Sequence, residues 1–279
     1  MSIADKRRSF RALHHSGCFV IPNPWNAGSA RYLQGLGFKA LATTSSGFAH
    51  SIGYSDGDVT RDMVLAHCRE IAAVSDIPVN ADFENGYAHD AAGAAENVRL
   101  CVETGVAGLS IEDYTGNDTN PLYDINVAVA RVKAARRAID ATGGDVVLTA
   151  RTEGFIKNRP DLAETIRRLK AFADAGADCL YAPGIKTREQ IETVVKAAGP
   201  LPVNLLMSGA SGLTVKDVTD MGVRRISVGG TLARVAMDGF IQAARNIIND
   251  GEFDNFVNVI SNAELNKFFH DDLARRPKP

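Results

Sequence analysis

Eight short apolar runs, helical periodicity between them, and three glycine-built joints from helix to strand predict an α/β chain. The expected architecture is a (β/α)8 TIM-type barrel with extra C-terminal helices. The apolar runs lie at 18–24, 40–46, 77–83, 108–113, 145–152, 179–184, 201–206 and 224–230. Segments such as Val146-Val147-Leu148 and Ile226-Ser227-Val228 are too short for helices. Their near-continuous apolarity is that of strands buried on both faces.

Helical patterns fill the intervals. Thr60 precedes a segment with Val64, Cys68, Ile71 and Val74 on one side, and Asp124 starts another with Ala128, Val132, Ala135 and Ile139. Pro160 stands at a helix start followed by Leu162, Ile166, Leu169 and Ala173, and Gly176 ends that helix. The endings Glu103-Thr104-Gly105-Val106, Asp174-Ala175-Gly176-Ala177 and Asp220-Met221-Gly222-Val223 each stop a helix on glycine and feed the next strand. Strands alternating with helices pair in parallel through right-handed crossovers. An open doubly wound sheet is the competing arrangement, but the first strand-to-helix turn carries no G-x-G-x-x-G.

The 279 residues, 45% of them hydrophobic, suit a single barrel domain over 1–279, with about 254–279 as a helical extension. Phe253, Phe256, Val257, Ile260, Leu265, Phe268 and Phe269 give that region an apolar face, to pack on the barrel or on a neighbouring subunit. With 31 basic against 33 acidic residues, the charge balance points to neither nucleic acid nor an anionic membrane. No apolar run approaches the roughly 20 residues of a membrane span. The basic start, Met1 to Arg8, leads into no apolar stretch and does not read as a signal peptide. Cys18, Cys68, Cys101 and Cys179 are isolated and without metal-ligand spacing, as expected of buried thiols in a cytoplasmic protein.

Barrel enzymes carry their chemistry at the C-terminal ends of the strands. Here the third strand ends in Asp82-Phe83-Glu84 and the fourth in Glu112-Asp113. Asp82 and Glu84 lean to one side of their strand, and Glu112 comes from the adjacent strand at the same level. Three converging acids repel unless a cation sits among them, and oxygen-only donors favour Mg2+, or Mn2+. Taken singly, each acid also fits a solvated loop. Arg151 ends the fifth strand and offers a planar fork for a carboxylate or enolate, or a structural salt bridge to Glu112 or Asp82.

After the second strand, Ser45, Ser46, Gly47 and Phe48 form a small turn whose backbone N–H groups can hold an anion. No lysine ends a strand, so Schiff-base chemistry has no support. The histidines at 14, 15, 50, 67, 89 and 270 also fall on no strand end, with His50 and His89 expected in surface loops. Val228-Gly229-Gly230 ahead of a helix reads as close packing at the eighth strand, or as a phosphate cradle.

Four motifs in order carry a family resemblance: Thr44-Ser45-Ser46-Gly47-Phe48 with Gly53-Tyr54-Ser55-Asp56, then Asp82-Phe83-Glu84-Asn85-Gly86-Tyr87, Ile111-Glu112-Asp113, and Ala150-Arg151-Thr152-Glu153. From about residue 21 to 249 the chain resembles the isocitrate lyase / phosphoenolpyruvate mutase superfamily. The resemblance implies Mg2+, a 2-oxo acid substrate, and a homotetramer exchanging C-terminal helices. It assigns Asp82 to direct metal binding, with Glu84 and Glu112 acting largely through waters. Ser45, Ser46, Gly47, Phe48, Asn120, Asn204 and Arg151 become the substrate-binding set, and Arg151, Asp56 and Tyr54 the catalytic set.

Departures from the family pattern narrow the activity. The lyases' K-K-C-G-H loop after the fourth strand is replaced by a stretch from Tyr114 to Tyr123 without cysteine or lysine. The phosphonate-processing members carry K-T-N-S there, of which Asp118-Thr119-Asn120-Pro121 keeps only the middle. Their histidine after the sixth strand corresponds to Tyr181-Ala182-Pro183-Gly184. The expectation is Mg2+-dependent C–C (or C–P) cleavage of a small 2-oxo acid through a pyruvate-like enolate, as a decarboxylase or lyase. A phosphonopyruvate-type mutase or hydrolase, or a catalytically silent binding barrel, are the alternatives.

Overall fold

The computed structural model describes residues 1–257 and 259–276. Eight parallel strands run in the order β1-β8-β7-β6-β5-β4-β3-β2. They are β1 (Phe19–Ile21), β2 (Leu41–Ala42), β3 (Val79–Asp82), β4 (Gly108–Glu112), β5 (Val147–Arg151), β6 (Cys179–Tyr181), β7 (Val203–Leu206) and β8 (Arg225–Ser227). Between β1 and β2 the Ala42 N–H donates to the Pro22 carbonyl at 3.0 Å, and Asn23 stitches the seam with its side chain. Its Nδ2 donates to the Thr43 carbonyl and its Oδ1 accepts from the Val228 N–H, each at 3.0 Å. The sheet is therefore a (β/α)8 barrel, as the alternation of runs predicts.

The helices are α1 (Ile3–Leu13), α2 (Ala27–Gly35), α3 (Ser45–Ser51), α4 (Arg61–Val74), α5 (Ala91–Val102), α6 (Ile125–Ala141) and α7 (Leu162–Asp174). They continue with α8 (Arg188–Ala198), α9 (Val215–Asp220), α10 (Thr231–Asp250) and α11 (Asn262–Arg275). Thr60 and Asp124 cap α4 and α6 as the sequence implies, whereas α7 is capped by Asp161 rather than begun at Pro160. Pro160 has no N–H to give, and the Asp161 carboxylate accepts from the Glu164 N–H. The joint glycines 105, 176 and 222 adopt φ of +92°, +98° and +88°, a region costly for any residue with a Cβ. Ser45–Ser51 is a helix, not the open turn expected after β2. His50 consequently lies on a helix, not in a loop.

The bottom of the barrel is closed by α1. Phe10, fully buried, meets His14 and Phe19 edge-on at centroid distances of 4.7 and 6.3 Å. A Cβ on Gly108 would lie 2.5 Å from the Phe10 ring, so β4 begins with glycine where the plug enters. Lys6 and Arg7 fasten α1 to the carbonyl ends of α4 and α5, Lys6 on Ala72 at 3.0 Å and Arg7 on Val102 at 2.8 Å. At the other end of the chain, α11 packs on α2. Phe268 lies against Tyr32 at 4.5 Å, and Arg31 pairs with the buried Asp272. By contrast α10 buries none of its 20 residues, and Val235, Phe240 and Ile248 are 65%, 66% and 81% exposed.

His14 gives a stability prediction. Burial holds its imidazole pKa down at about 3, assisted by the charge of Arg225, while the unfolded chain titrates near 6.5. The unfolded state thus binds more protons across that window, and stability is lost as pH falls below about 6.5. Relative to His14→Gln, wild type should lose about 2 kcal/mol of unfolding free energy between pH 7.5 and 5.0 in urea titrations. Parallel pH profiles for the two proteins would rule this out.

Candidate active site

Inward-facing residues near the strand ends shape one cavity of about 240 Å³. It is lined from β1 round to β8 by Asn23, Thr43 to Ser46, Asp56, Asn80, Asp82, Ser110, Arg151, Tyr181, Asn204, Arg225, Ser227 and Arg234, among others. That volume suits a small acid.

Arg151 organises one side. Its guanidinium lies 3.4 Å from Asp82 Oδ1 and 3.3 Å from Glu112 Oε2, donates from Nη2 to Glu153 Oε2 at 3.1 Å, and pairs through Nε with Glu153. It also stacks 5.1 Å from the centre of the Tyr181 ring. Burial works against the charge on Arg151, but Glu112 and Glu153 outweigh it and hold the group firmly protonated. Glu153 was not singled out by sequence reasoning. Its signal was present, since a residue two beyond Arg151 shares its side of an extended chain. The adjacent Asp113, 2% exposed, faces away from the cavity and fixes this segment. It accepts from the Glu153 N–H at 2.9 Å, Thr152 Oγ1 at 2.7 Å and Arg168 Nη1 at 3.0 Å.

Asp82 sits at the junction of two elements. Its Oδ2 accepts from the Ser45 N–H at 3.2 Å, and its own N–H donates to Thr43 Oγ1 at 2.8 Å. Glu84 adopts φ +44° and bonds the Tyr87 hydroxyl, while Arg131 and Asn97 hold the carbonyls of the loop around it. Burial raises the Glu84 pKa to about 7, with the Tyr87 hydrogen bond opposing and Asp82 and Asp56 adding to the rise. Burial likewise pushes Glu112 up, against the pull of Arg151. Asp56 is raised by the loss of surrounding water and by Asp82, with Ser45 pulling the other way.

Other predicted residues are not brought together. Gly47 and Phe48 do not line the cavity, because the turn they were assigned to is the start of α3. Their N–H groups are spent on Thr44, on its Oγ1 at 3.3 Å and its carbonyl at 3.1 Å. A Cβ on Gly47 would lie 3.2 Å from Ala233, and Phe48 stacks on the buried His67 at 4.0 Å, so both serve packing. Tyr54 is 45% exposed and outside the lining. Asn120 borders a separate hollow with Arg159 and Arg168. Ser45, Ser46, Asn204, Asp56, Asp82 and Arg151 do line the cavity.

Among the described residues no three acidic, imidazole or thiol groups form a ready coordination sphere. Of the three predicted ligands only Asp82 lines the cavity, since Glu84 is turned to Tyr87 and Glu112 to Arg151. A hydrated hard cation fits this arrangement better than a dry one. Mg2+ binds through one or two carboxylates and keeps several waters. Around Asp82, the acids Asp56, Glu84, Glu112 and Glu153 stand with one guanidinium, Arg151, a set that offers oxygen donors and no imidazole or thiol.

A parallel barrel whose strand ends carry a guanidinium among acids has the layout of a barrel enzyme's active site. The phosphoenolpyruvate phosphomutase family model matches residues 10–248. The chain belongs to the phosphoenolpyruvate mutase / isocitrate lyase superfamily and is an enzyme of that lyase type. The crystal structure of a candidate lyase/mutase from Burkholderia cenocepacia J2315 matches with TM-score 0.93 and 43% identity, over 96% of this chain and 97% of that one. The oxaloacetate decarboxylase of Paraburkholderia xenovorans (strain LB400) is 30% identical over 74% of this chain and 69% of its own. Phosphonopyruvate hydrolase in complex with oxalate and Mg2+ matches with TM-score 0.85 and 25% identity, over 99% and 97% of the two chains. Among the described residues no helix is long and apolar enough to cross a membrane.

Asp113→Ala would strand the buried guanidinium of Arg168 and free the Glu153 N–H. Removing one partner of a buried pair costs about 3–5 kcal/mol, which urea denaturation would read as a lowered midpoint. An unchanged midpoint would show that Arg168 is held by Glu164 and the Tyr123 carbonyl alone.

Proposed function

We propose that the protein catalyses Mg2+-dependent C–C cleavage of a small 2-oxo acid through a pyruvate-like enolate, with decarboxylation of an oxaloacetate-like substrate as the leading reaction. The observation carrying this reading is the half-buried Arg151 fork held beside Asp82 in the cavity wall. Asp82 would hold the metal directly, with Glu84 and Glu112 reaching it through waters. When bound, Mg2+ supplies electrophilic polarisation of the keto oxygen. Arg151 neutralises the negative charge that gathers on that oxygen as the bond breaks. In decarboxylation the C3–C4 bond breaks, CO2 departs, and its electron pair becomes the enolate. Asp56, the carboxyl lining the same cavity, would in its protonated form deliver the proton to C3 to give pyruvate. No cysteine or lysine is needed to start such a step, which agrees with the composition of the loop from Tyr114 to Tyr123. The decarboxylase named among the relatives, and the Mg2+–oxalate complex of the hydrolase, support the same chemistry.

The bare apolar face of α10 supports assembly with further copies of the chain, read here as a homo-oligomer. Sedimentation at micromolar concentration should give a species larger than 29.8 kDa, and a monomer there would count against it.

Purified protein should release pyruvate from oxaloacetate above the spontaneous rate with Mg2+, and lose that release in EDTA. Asp82→Ala and Arg151→Ala should each lower kcat/KM by about 100-fold or more. Turnover indifferent to chelation, or wild-type rates in both variants, would discard the assignment.

A further inference from the structure

The loop after β3 is held from outside the barrel. Glu84 and Tyr87 adopt φ of +44° and +54°, although neither is glycine. Left-handed backbone is costly for a residue with a Cβ and persists only where neighbours impose it. Here two buried polar side chains impose it. Arg131 of α6 donates from Nη1 to the carbonyls of Ala88 and His89, each at 2.6 Å, and from Nη2 to that of Asn85. Asn97 of α5 donates from Nδ2 to the carbonyls of Gly86 at 2.9 Å and Tyr87 at 3.2 Å. Every carbonyl from 85 to 89 is thus bound from behind. Arg61 Nη1 donates to Asn97 Oδ1 at 3.0 Å, which turns the amide so that its N–H groups face the loop.

Arg131 pairs with no carboxylate among the described residues, and its other neighbour is the Tyr123 ring, 4.5 Å from guanidinium carbon to ring centre. A guanidinium is costly to withdraw from water, and this one gives its donors to the main chain of a single loop. An apolar side chain would fill the space but leave those carbonyls unpaired. The shape of the loop and the guanidinium therefore require each other. On the inner side of that shape, the Tyr87 ring packs edge-on against Phe83 at 5.3 Å, and its hydroxyl meets Glu84 Oε1. Glu84 Oε2 makes no protein hydrogen bond among the described residues, which leaves it to accept from water.

We propose that Arg131, together with Asn97, is a positioning residue of the divalent-cation site. It holds the loop in the shape from which Tyr87 aims Glu84, and it lies outside the cavity lining, away from cation and substrate. The inference rests on the reading of Asp82 and Glu84 as a Mg2+ site, the first direct and the second through water. A carboxylate that reaches a metal through water contributes by its orientation as well as its charge, so the groups that orient it share in the affinity.

The test is calorimetric titration of the full chain with Mg2+ alone, as a double-mutant cycle between Arg131 and Glu84. Glu84→Gln and Arg131→Gln should each weaken Mg2+ binding by about tenfold. Arg131→Lys should recover part of the second loss, because an ammonium still donates to a loop carbonyl. With Glu84→Gln already in place, adding Arg131→Gln should cost less than about twofold more, since its route to the cation is gone. Asn97→Ala, which removes the bonds to Gly86 and Tyr87, should weaken binding about fivefold and fall equally silent beside Glu84→Gln. It completes the cycle should Arg131→Gln not fold. Losses that multiply to about a hundredfold in the double variant would show a general loosening of the barrel and overturn the positioning role. Binding abolished by Asp82→Ala but untouched by Arg131→Gln and Asn97→Ala would leave the cation site standing and remove the role. Wild type that takes up no Mg2+ would remove both.

Discussion

The ion cluster centred on Arg151 is the constraint to which the barrel mouth is built. One guanidinium touches acids from three places, Asp82 at the end of β3, Glu112 at the end of β4 and Glu153 beyond β5. Removed from water, such charges interact strongly and tolerate no missing member. Two of the three are also held from behind. Arg168 of α7 fixes Asp113, Asp113 fixes the Glu153 backbone, and the Ser45 N–H at the start of α3 meets Asp82. A continuous polar path thus joins α7 to α3 across the cavity wall. The position of Arg151 follows from that path more than from its own rotamer.

How deep the cavity reaches is decided lower in the barrel. The cavity floor carries Asn80, Ser110, Asn204 and Arg225, with Thr149 beside Arg225, where apolar layers are usual. Most groups of such a column need to satisfy one another, and Asn80 Oδ1 is the exception among these five, buried without a hydrogen-bond partner among the described residues. The Arg225–Asn204–Ser227 series does so, with Asn204 Nδ2 donating to Ser227 Oγ at 2.9 Å. Beneath it Phe10, His14 and Phe19 seal the barrel against water from the N-terminal side. The aromatic plug and the polar column work together, because the column would be solvated from both ends without α1.

Much of this was legible in the sequence wherever the signal was local. Strand runs, the caps Thr60 and Asp124, and the glycines 105, 176 and 222 are set by neighbours a few residues away, and each appears where periodicity puts it. Asp82, Arg151 and Asn204 were legible as cavity-lining residues because a strand end fixes direction as well as position. Loop residues gave no such direction. Asn120 and Tyr54 follow their own turns away from the cavity, and Gly47 and Phe48 were absorbed by a helix that a two-residue strand leaves room for. Arg225 stayed hidden for a different reason. A cation inside a strand breaks the expected pattern of a buried barrel interior, and only its partners on β5 and β7 explain it.

The loop after β4 shows how a departure in sequence can be answered in space. It holds Asp118 where the family resemblance implies a lysine, an apparent loss of positive charge in that loop. The neighbouring loop after β5 supplies one. Lys157 Nζ lies 3.3 Å from Asp118 Oδ1 and 3.5 Å from the centre of the Tyr114 ring, whose hydroxyl donates to the same carboxylate at 2.8 Å. Asp118 is 83% exposed at its side chain, so this triad is worth little in stability. A weak tether of that kind fixes the charge balance of the loop without locking its position. The charge cluster around Arg151 is enclosed in the cavity wall, whereas the one around Lys157 lies on exposed loops, where water and salt screen it.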